Sequence, residues 1–497
     1  MQVKEKREGE PRVKKPFPWQ MVLFTALLTV VGLASLTLEK PTVSEIEKRE
    51  LAKAPTLSVQ SWFNGSFAKE ADAFFADTFP ARDLLVLFSN SVKENLGLRF
   101  DDVRIVATDD PVDEMPSSSA AEQPPEKPPA KPPEKAPSSS AADLPQPEPD
   151  GTLPDEKPQP NQQIPDEGDI GISKSGVFIY KGMGMSLFGG NKSVGETYAA
   201  NINAYREALG DSVRIFDMVV PTSAEFYLPA RYQKLSNSQW DAIHHIYDNL
   251  ADGVIGVDAY SAISQHTDQY LYFNSDHHWT GRGAYWAYTA FAKAAGFAPL
   301  NIDTDYTVRQ IDGFLGSLYG MTQDSQIREK GDFVEYFIPA TGATATIRYQ
   351  NSPYHDSPWV VWEERVKGGN GYLVFLCGDA PLITINTETK NGKSIAVVKE
   401  SFGNAFVPFL IPHYETIYVV DERYFQTSLL ELLQENEVDD LLFMNNAFSA
   451  MTAYHANNLA KIMDQPYVPV PVQTPEEEPE DEEDDDGWVG ILDEDAE

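Results

Sequence analysis

The segment Ser275-Asp276-His277-His278-Trp279-Thr280 concentrates the groups in this chain best suited to moving a proton. The sequence contains eight histidines, and two of them are adjacent here, beside an aspartate. In an extended segment Asp276 and His278, at i and i+2, point to the same side. A carboxylate placed there can accept Nδ1–H from the imidazole, fix its tautomer and steady the cation formed when Nε2 takes a proton. His277 competes for the base role. Metal binding is a rival reading, since Asp and His are both ligands. The other adjacent pair, His244-His245, falls inside a predicted helix where neighbours diverge, so no local cluster supplies third and fourth ligands. A hydrogen-bonded core motif is the remaining alternative.

A second candidate is Ser401, within Ser394 to Leu410, SIAVVKESFGNAFVPFL. The apolar run Ile395 to Val398 predicts a buried strand, and Gly403 and Asn404 precede an apolar helix. Open α/β sheets carry their reactive groups at the carboxyl ends of strands. A serine at such a strand-to-helix turn is exposed to the cleft, with helix-start N–H groups free to meet a developing oxyanion. The competing reading of Ser401 is a plain helix N-cap. Asn404 is a second oxyanion candidate or a turn cap, and Asn445 and Asn446 follow the strand DLLFM at another strand's carboxyl end. Arg423 is suited to pairing with a glycan carboxylate or with Asp421. Trp279 and Tyr319 are candidates for stacking on sugar faces, or for the core.

The elements that must position these residues alternate between strand and helix. Val177 to Tyr180 and Val213 to Val220 read as strands, with helices at Glu196 to Ala208, Ser238 to Leu250 and Gly283 to Ala295. SIAVVK, TIYVVD and DLLFMN are three further apolar runs, with helices starting near Phe402 and Ser428. Such alternation predicts a mainly parallel sheet covered on both faces. Tyr336 to Thr387, rich in β-branched residues, reads as an inserted antiparallel or irregular region.

Upstream, Met21 to Leu38 (MVLFTALLTVVGLASLTL) carries no charge and is long enough to cross the roughly 30 Å hydrocarbon layer. Lys4, Lys6, Arg7, Arg12, Lys14 and Lys15 outweigh Glu5, Glu8 and Glu10 on its short side, which predicts a cytoplasmic N-terminus and an exported remainder. The alternative is a cleaved signal peptide, with Leu33-Ala34-Ser35 as a weak site. Residues 39–109 then form a membrane-near helical segment, with two amphipathic helices joined at Pro80. Residues 110–169 form a proline-rich disordered linker, residues 170–466 the main domain, and residues 467–497 an acidic disordered tail. A single cysteine, Cys377, leaves no intramolecular disulfide framework, which fits a bacterial surface protein. The net charge of −37 makes nucleic acid an improbable partner.

The chain resembles the DHHW protein family of bacterial surfaces, whose tetrad stands here as Asp276-His277-His278-Trp279. The resemblance extends through SEIEKRELAKAP at Ser44 to Pro55, DTFPARD at Asp77 to Asp83, and VPTSA at Val220 to Ala224. It continues in FLGSLY at Phe314 to Tyr319, the Ser401 segment with VPFL, and DERY at Asp421 to Tyr424. That family is similar to the SGNH-hydrolase-like proteins that O-acetylate alginate, in which a D-x-H motif precedes the serine. The resemblance implies an SGNH-hydrolase-like three-layer α/β domain with an inserted β-rich segment, on a helical stalk behind one transmembrane helix. It implies Asp276 as orienter, His278 as general base and Ser401 as nucleophile, with Gly403 among the oxyanion or substrate-binding candidates. Two departures stand out: Glu400 where aspartate is more frequent, and Cys377 where glycine is expected.

The function implied is acyl transfer, mainly O-acetylation, on a cell-surface polysaccharide. The alternatives are a serine esterase deacylating surface glycans and a non-catalytic glycan-binding or envelope scaffold protein. No metal or organic cofactor is implied. Acetyl-CoA is cytoplasmic, so the implied partner is a multi-span membrane O-acyltransferase that supplies the acyl group. The anchor has a direct test: after carbonate washing the full chain should stay in the membrane pellet, whereas a chain starting at Glu39 should be soluble. Release of the full chain into the wash would refute the anchor.

Overall fold

The computed structural model describes residues 177–349, 352–357, 360–361, 370–376 and 378–466, with shorter pieces between residues 24 and 106 and between residues 154 and 165. Its frame is an eight-stranded sheet. In chain order the strands are β1 (Arg214–Val220), β2 (Val254–Gly256), β3 (Ala343–Tyr349), β4 (Ser352–Ser357), β5 (Leu382–Thr387), β6 (Ser394–Lys399), β7 (Thr416–Asp421) and β8 (Asp440–Asn446). They lie side by side as β4-β3-β5-β7-β6-β8-β1-β2. The five strands from β7 to β2 are parallel, and β5, β3 and β4 add an antiparallel edge.

The parallel strands are near-continuous apolar runs because both faces are covered. Helices α1 (Lys192–Leu209), α2 (Gln239–Tyr247), α3 (Gly281–Ala295) and α4 (Ala453–Met463) supply the cover. Register assigns the faces: β8 Phe443 stands opposite β1 Asp217, and Leu442 opposite Phe216. Phe443 packs on Tyr205 of α1 and Phe216 on Phe291 of α3, so α1 and α3 lie on opposite sides of the sheet. The result is the expected three-layer α/β order.

Two features differ from the sequence reading. The β-rich stretch Tyr336–Thr387 is not a separate insert throughout, since β3, β4 and β5 continue the main sheet by pairing onto β7. Its first residues, Tyr336–Pro339, end the strand Asp332–Pro339, which pairs antiparallel with Tyr306–Phe314. The second feature is the end of the proline-rich stretch, expected to be linker through residue 169. Here Asn161 Oδ1 accepts from Thr267 Oγ1 at 2.7 Å, Lys157 pairs with Glu225 at 2.6 Å, and Pro165 O accepts from the Tyr180 hydroxyl at 2.8 Å. Val103–Val106 also pairs antiparallel with Val177–Tyr180, which pairs in turn with Met183–Ser186, so the chain before the proline-rich stretch joins a three-stranded sheet with the start of the domain.

Of the two stalk helices expected, Ser66–Asp77 is present, and the second lies outside the described residues. The run Met21–Leu38 lies almost wholly outside them, as do residues 110–153 and the acidic tail. Among the described residues no helix is long and apolar enough to cross a membrane.

β1 carries a carboxyl inside the core. Asp217 is fully buried, and its Oδ1 lies 3.1 Å from the Tyr198 hydroxyl, which also lies 3.0 Å from Asn445 Oδ1. One hydroxyl proton cannot serve both oxygens, and a protonated Asp217 resolves the conflict by donating to Tyr198. Burial pushes the Asp217 carboxyl from its usual 3.8 up to about 8, the Tyr198 hydrogen bond opposing only in part. Between those values the folded chain binds a proton that the unfolded chain has released, so stability should fall as pH rises through that window. Asp217→Asn removes this proton linkage. Urea titrations from pH 4 to pH 8 should show a flatter slope for the variant and a few kcal/mol of added stability at the upper end.

Candidate functional site

Strands β1, β6, β7 and β8 end at one edge: Lys399 stands opposite Asp421 and Met444, and Asn446 opposite Val220. The residues just beyond those ends are Thr222-Ser223, Glu400-Ser401, Glu422-Arg423 and Ala447-Phe448, so the parallel topology converges four loops on one place.

Ser401 occupies the turn between β6 and a four-residue helix, Gly403–Phe406, which continues as one 3-10 turn through Pro408. The helix stays short because Pro408 has no N–H with which to extend it. The turn is held by Glu400. Its Oε1 accepts from Asn446 N at 3.1 Å, and its Oε2 accepts from Phe402 N at 3.0 Å and lies 3.2 Å from Ser401 Oγ. Glu400 thus ties the serine turn to the end of β8, a function its sequence position did not reveal. Gly403 packs directly on the Lys399 side chain, where a Cβ would collide.

The Asp276-His278 segment reaches Ser401 from between helices. Tyr272 bridges to Trp279, and Thr280 caps α3 by accepting from Gly283 N. Asp332, at the start of the strand Asp332–Pro339, accepts from Asn274 N at 2.8 Å and Ser275 N at 2.7 Å. The Ser317 amide donates to Asp276 Oδ2 at 2.7 Å, and the adjacent Gly316 leaves room for that carboxylate where a Cβ would clash. Asp276 Oδ1 accepts from His278 N at 2.9 Å and lies 2.5 Å from His278 Nδ1. His278 Nε2 lies 2.7 Å from Ser401 Oγ. The three groups therefore form one unbroken hydrogen-bond chain, and both are nearly buried at its working end: Ser401 is 5% exposed and His278 4%.

Burial opposes ionisation of Asp276, but the facing His278 imidazole, His277 and the Ser317 amide outweigh it and hold the carboxyl well below the usual carboxylate range. The anion that orients His278 is thus present at every ordinary pH. Asp276, His277 and His278 also bring donor atoms within 4.8 Å of one another. A metal ion there would have to break the Asp276–His278–Ser401 chain, because both His278 nitrogens are already engaged.

His277 points elsewhere. Its Nδ1 pairs with Ser317 Oγ at 2.6 Å, and burial together with the neighbouring His278 pushes its pKa down to about 3. It lines a pocket with Ser186, Thr222, Ser223, Phe402, Asn446 and Phe448.

The remaining sequence candidates divide sharply. Trp279 is fully buried and its Nε1–H donates to Phe402 O at 2.9 Å, so it braces the serine turn and offers no face to a sugar. Tyr319 is buried among Val177, Ile179, Leu318 and Ile327. Asn404 gives one Nδ2 proton to Asp379 at 2.8 Å, and the Gly403 amide donates to Glu400 O at 3.0 Å. Arg423 is locked to Asp421 at 2.7 Å and Asp379 at 3.0 Å, leaving none of its charge for a glycan carboxylate. Asn445 faces Tyr198 inside the core, away from the cleft. Asn446 alone among the asparagines reaches the pocket. Its Oδ1 caps the next helix by accepting from Phe448 N and Ser449 N, which turns Nδ2 away from that helix.

Two residues that matter here carried no sequence signal. Tyr372 stacks on His278, ring centroids 4.0 Å apart and 13° from parallel, while its hydroxyl donates to Ser401 O at 2.9 Å. Asp379 binds Lys399 Nζ at 3.0 Å as well as Asn404 and Arg423. Cys377, between them, lies outside the described residues.

The sequence model described as DHHW protein matches residues 161–420. Among solved structures, a DHHW family protein from Eubacterium siraeum is 34% identical, covering 59% of this chain and 97% of that one, with a TM-score of 0.55. Bacillus cereus PatB1 is 19% identical, covering 57% of this chain and 98% of that one, with a TM-score of 0.48. The O-acetyltransferase domain of Pseudomonas putida AlgJ is 13% identical, covering 56% and 93%, with a TM-score of 0.33. Among curated proteins none matches the sequence.

The Asp379 cluster generates a stability prediction. Lys399, Asp379 and Asp421 have no exposed side-chain surface, and removing one anion leaves cations buried and under-compensated. Asp379→Ala should cost about 3–5 kcal/mol in urea unfolding. A loss below about 1 kcal/mol, the range of surface ion pairs, would show that the cluster bears no such load.

Proposed function

This chain belongs to the DHHW protein family, and we propose that it is an acyl-transfer enzyme that O-acetylates a cell-surface polysaccharide outside the cytoplasm. The observation that carries the reading is the hydrogen-bond chain Asp276–His278–Ser401 at the carboxyl edge of the parallel strands. In this reading His278 Nε2 takes the Ser401 proton as Oγ attacks the acyl carbonyl. The donor's leaving group departs with that proton, and an acyl-serine remains. A sugar hydroxyl then attacks the acyl-serine, its proton passes to His278, and the returning proton restores Ser401. Asp276 keeps the imidazole in the tautomer that can accept. Asn446, which lines the pocket beside the Ser401 turn, is the proposed side-chain donor for the oxyanion.

What favours transfer over hydrolysis is the chain order, with the D-x-H motif Asp276–His278 standing before Ser401, together with the candidate anchor. The anchor at residues 21–38 would keep the site beside a membrane partner that delivers acyl groups, the proposed donor being a multi-span O-acyltransferase.

Turnover of an activated acetyl ester should fall at least about a thousandfold in Ser401→Ala, His278→Ala and Asp276→Asn, with the multiple variants little worse than the singles. His277→Ala should stay within about tenfold of wild type, since its Nδ1 pairs with Ser317 Oγ while His278 alone bonds Ser401 Oγ. Unchanged activity in Ser401→Ala would remove the nucleophile. In a deletion strain, proton NMR of the surface glycans should show acetyl signal lost and restored only by the wild-type chain. A rise in acetyl content would instead identify an esterase.

A further inference from the structure

The pocket beside Ser401 is built from uncharged groups. Ser186, Thr222, Ser223 and Asn446 supply hydroxyl and amide functions, and Phe402 and Phe448 supply apolar faces. Such a mixture suits a pyranose, which presents hydroxyls at its rim and C–H groups on its faces. Its empty space, counted out through the open mouth, is about 280 Å3, so the pocket meets the edge of a ring at that mouth and has no room for a stretch of chain. Ser186 Oγ is buried and has no hydrogen-bond partner, a cost that a ligand hydroxyl would remove. The pocket also adjoins both reacting groups. Phe402 follows Ser401 in the chain, and the His277 ring lies 3.8 Å from that of His278.

Charge decides what kind of ring. Among the described residues no lysine or arginine lines the pocket. The nearest cations, Lys399 and Arg423, are buried in pairs with Asp379 and Asp421. His277, the one titratable group in the wall, is held neutral by its burial and by His278. Around the site Asp276, Asp379, Glu400 and Asp421 outnumber those two cations, and the chain as a whole carries a net −37. A carboxylate or phosphate entering here would lose its water without gaining a counter-charge.

We propose that this pocket is the acceptor subsite and that it selects an uncharged, hydroxyl-bearing sugar ring over uronate- or phosphate-bearing units. The inference rests on the acyl-transfer reading. The acceptor hydroxyl oxygen forms its ester bond to the acyl carbon as the Ser401 Oγ–acyl bond breaks, and the hydroxyl proton travels through His278 to Oγ.

The test uses the full-length protein with p-nitrophenyl acetate as acyl donor. Acceptors are a neutral N-acetylglucosamine oligomer and an oligogalacturonate of equal length, with products weighed by mass spectrometry. The neutral oligomer should be acetylated at least about tenfold faster, the penalty of roughly 1.4 kcal/mol or more expected for an uncompensated charge. The preference should survive high salt, which screens long-range repulsion but not desolvation. Equal or faster use of the uronate, or a preference that vanishes in salt, would overturn the proposal. Ser186→Lys should raise the uronate-to-neutral ratio about tenfold, and an unchanged ratio in the folded variant would place the acceptor elsewhere. Saturation-transfer NMR of both oligomers with Ser401→Ala tests the pocket without turnover. Ester cleavage without acceptor tests the chemistry alone, so failure of the reaction and failure of the subsite give different results.

Discussion

The hydrogen bond between His278 Nε2 and Ser401 Oγ joins segments 123 residues apart, and much of the domain exists to hold those two atoms 2.7 Å from each other. Neither side is free to drift. Ser401 is clamped by Glu400 to the end of β8, by Tyr372 through its carbonyl and by Trp279 through the next carbonyl along. His278 is gripped by Asp276 at one nitrogen and covered by Tyr372 on one ring face. Trp279 and Tyr372 each touch both partners or their neighbours, so the histidine segment and the serine turn brace each other. A chain of this kind loses function through small displacements, which is why so many backbone groups are spent on it.

Rigidity on this scale requires burying charge. Lys399, Asp379, Asp421 and Arg423 sit behind the serine turn with almost no exposed surface. Replacing such a cluster by apolar residues is often neutral or stabilising, so its presence is weak evidence for stability as such. What it provides is direction. Asp379 fixes the Asn404 amide and the end of β6 in one stroke, and the two strand ends that flank Ser401 cannot separate without exposing unpaired ions. Another buried acid, Asp217, meets the neutral Tyr198 hydroxyl, and there the cheaper solution is a retained proton.

The same satisfied charges shape the mouth of the site. Among the described residues Lys399 and Arg423 are neutralised from within, and the pocket wall is left to hydroxyls, an amide, two phenyl rings and a neutral imidazole. Recognition there depends on hydrogen bonds and ring contact, interactions that salt weakens little. This is an unusual balance for a chain so acidic overall, and it separates what the site can hold from what the surface would repel.

Much of the fold was legible from local pattern. The runs VRIFDMVV, SIAVVK, TIYVVD and DLLFMN are apolar throughout because both faces of a parallel sheet are covered, and that property is written in consecutive residues. Asp276, His278 and Ser401 were nameable for a similar reason, since an i, i+2 pair and a strand-end serine are local arrangements. The roles of the surrounding polar residues were not. Arg423, Asn404, Gly403, Trp279 and Tyr319 each had the right chemistry for a site, but partners distant in sequence, Asp379 above all, consume their free valences or bury them. Tyr372 and Asp379 had no motif to mark them, and Asn446 gained its place through the pairing of β8 with β1. The sequence by itself determined which groups could react, because reactivity resides in residue type and short spacing. Only the tertiary structure decided which of them remain free to do so, because a donor or charge is spent or spared by neighbours that the chain order does not place beside it.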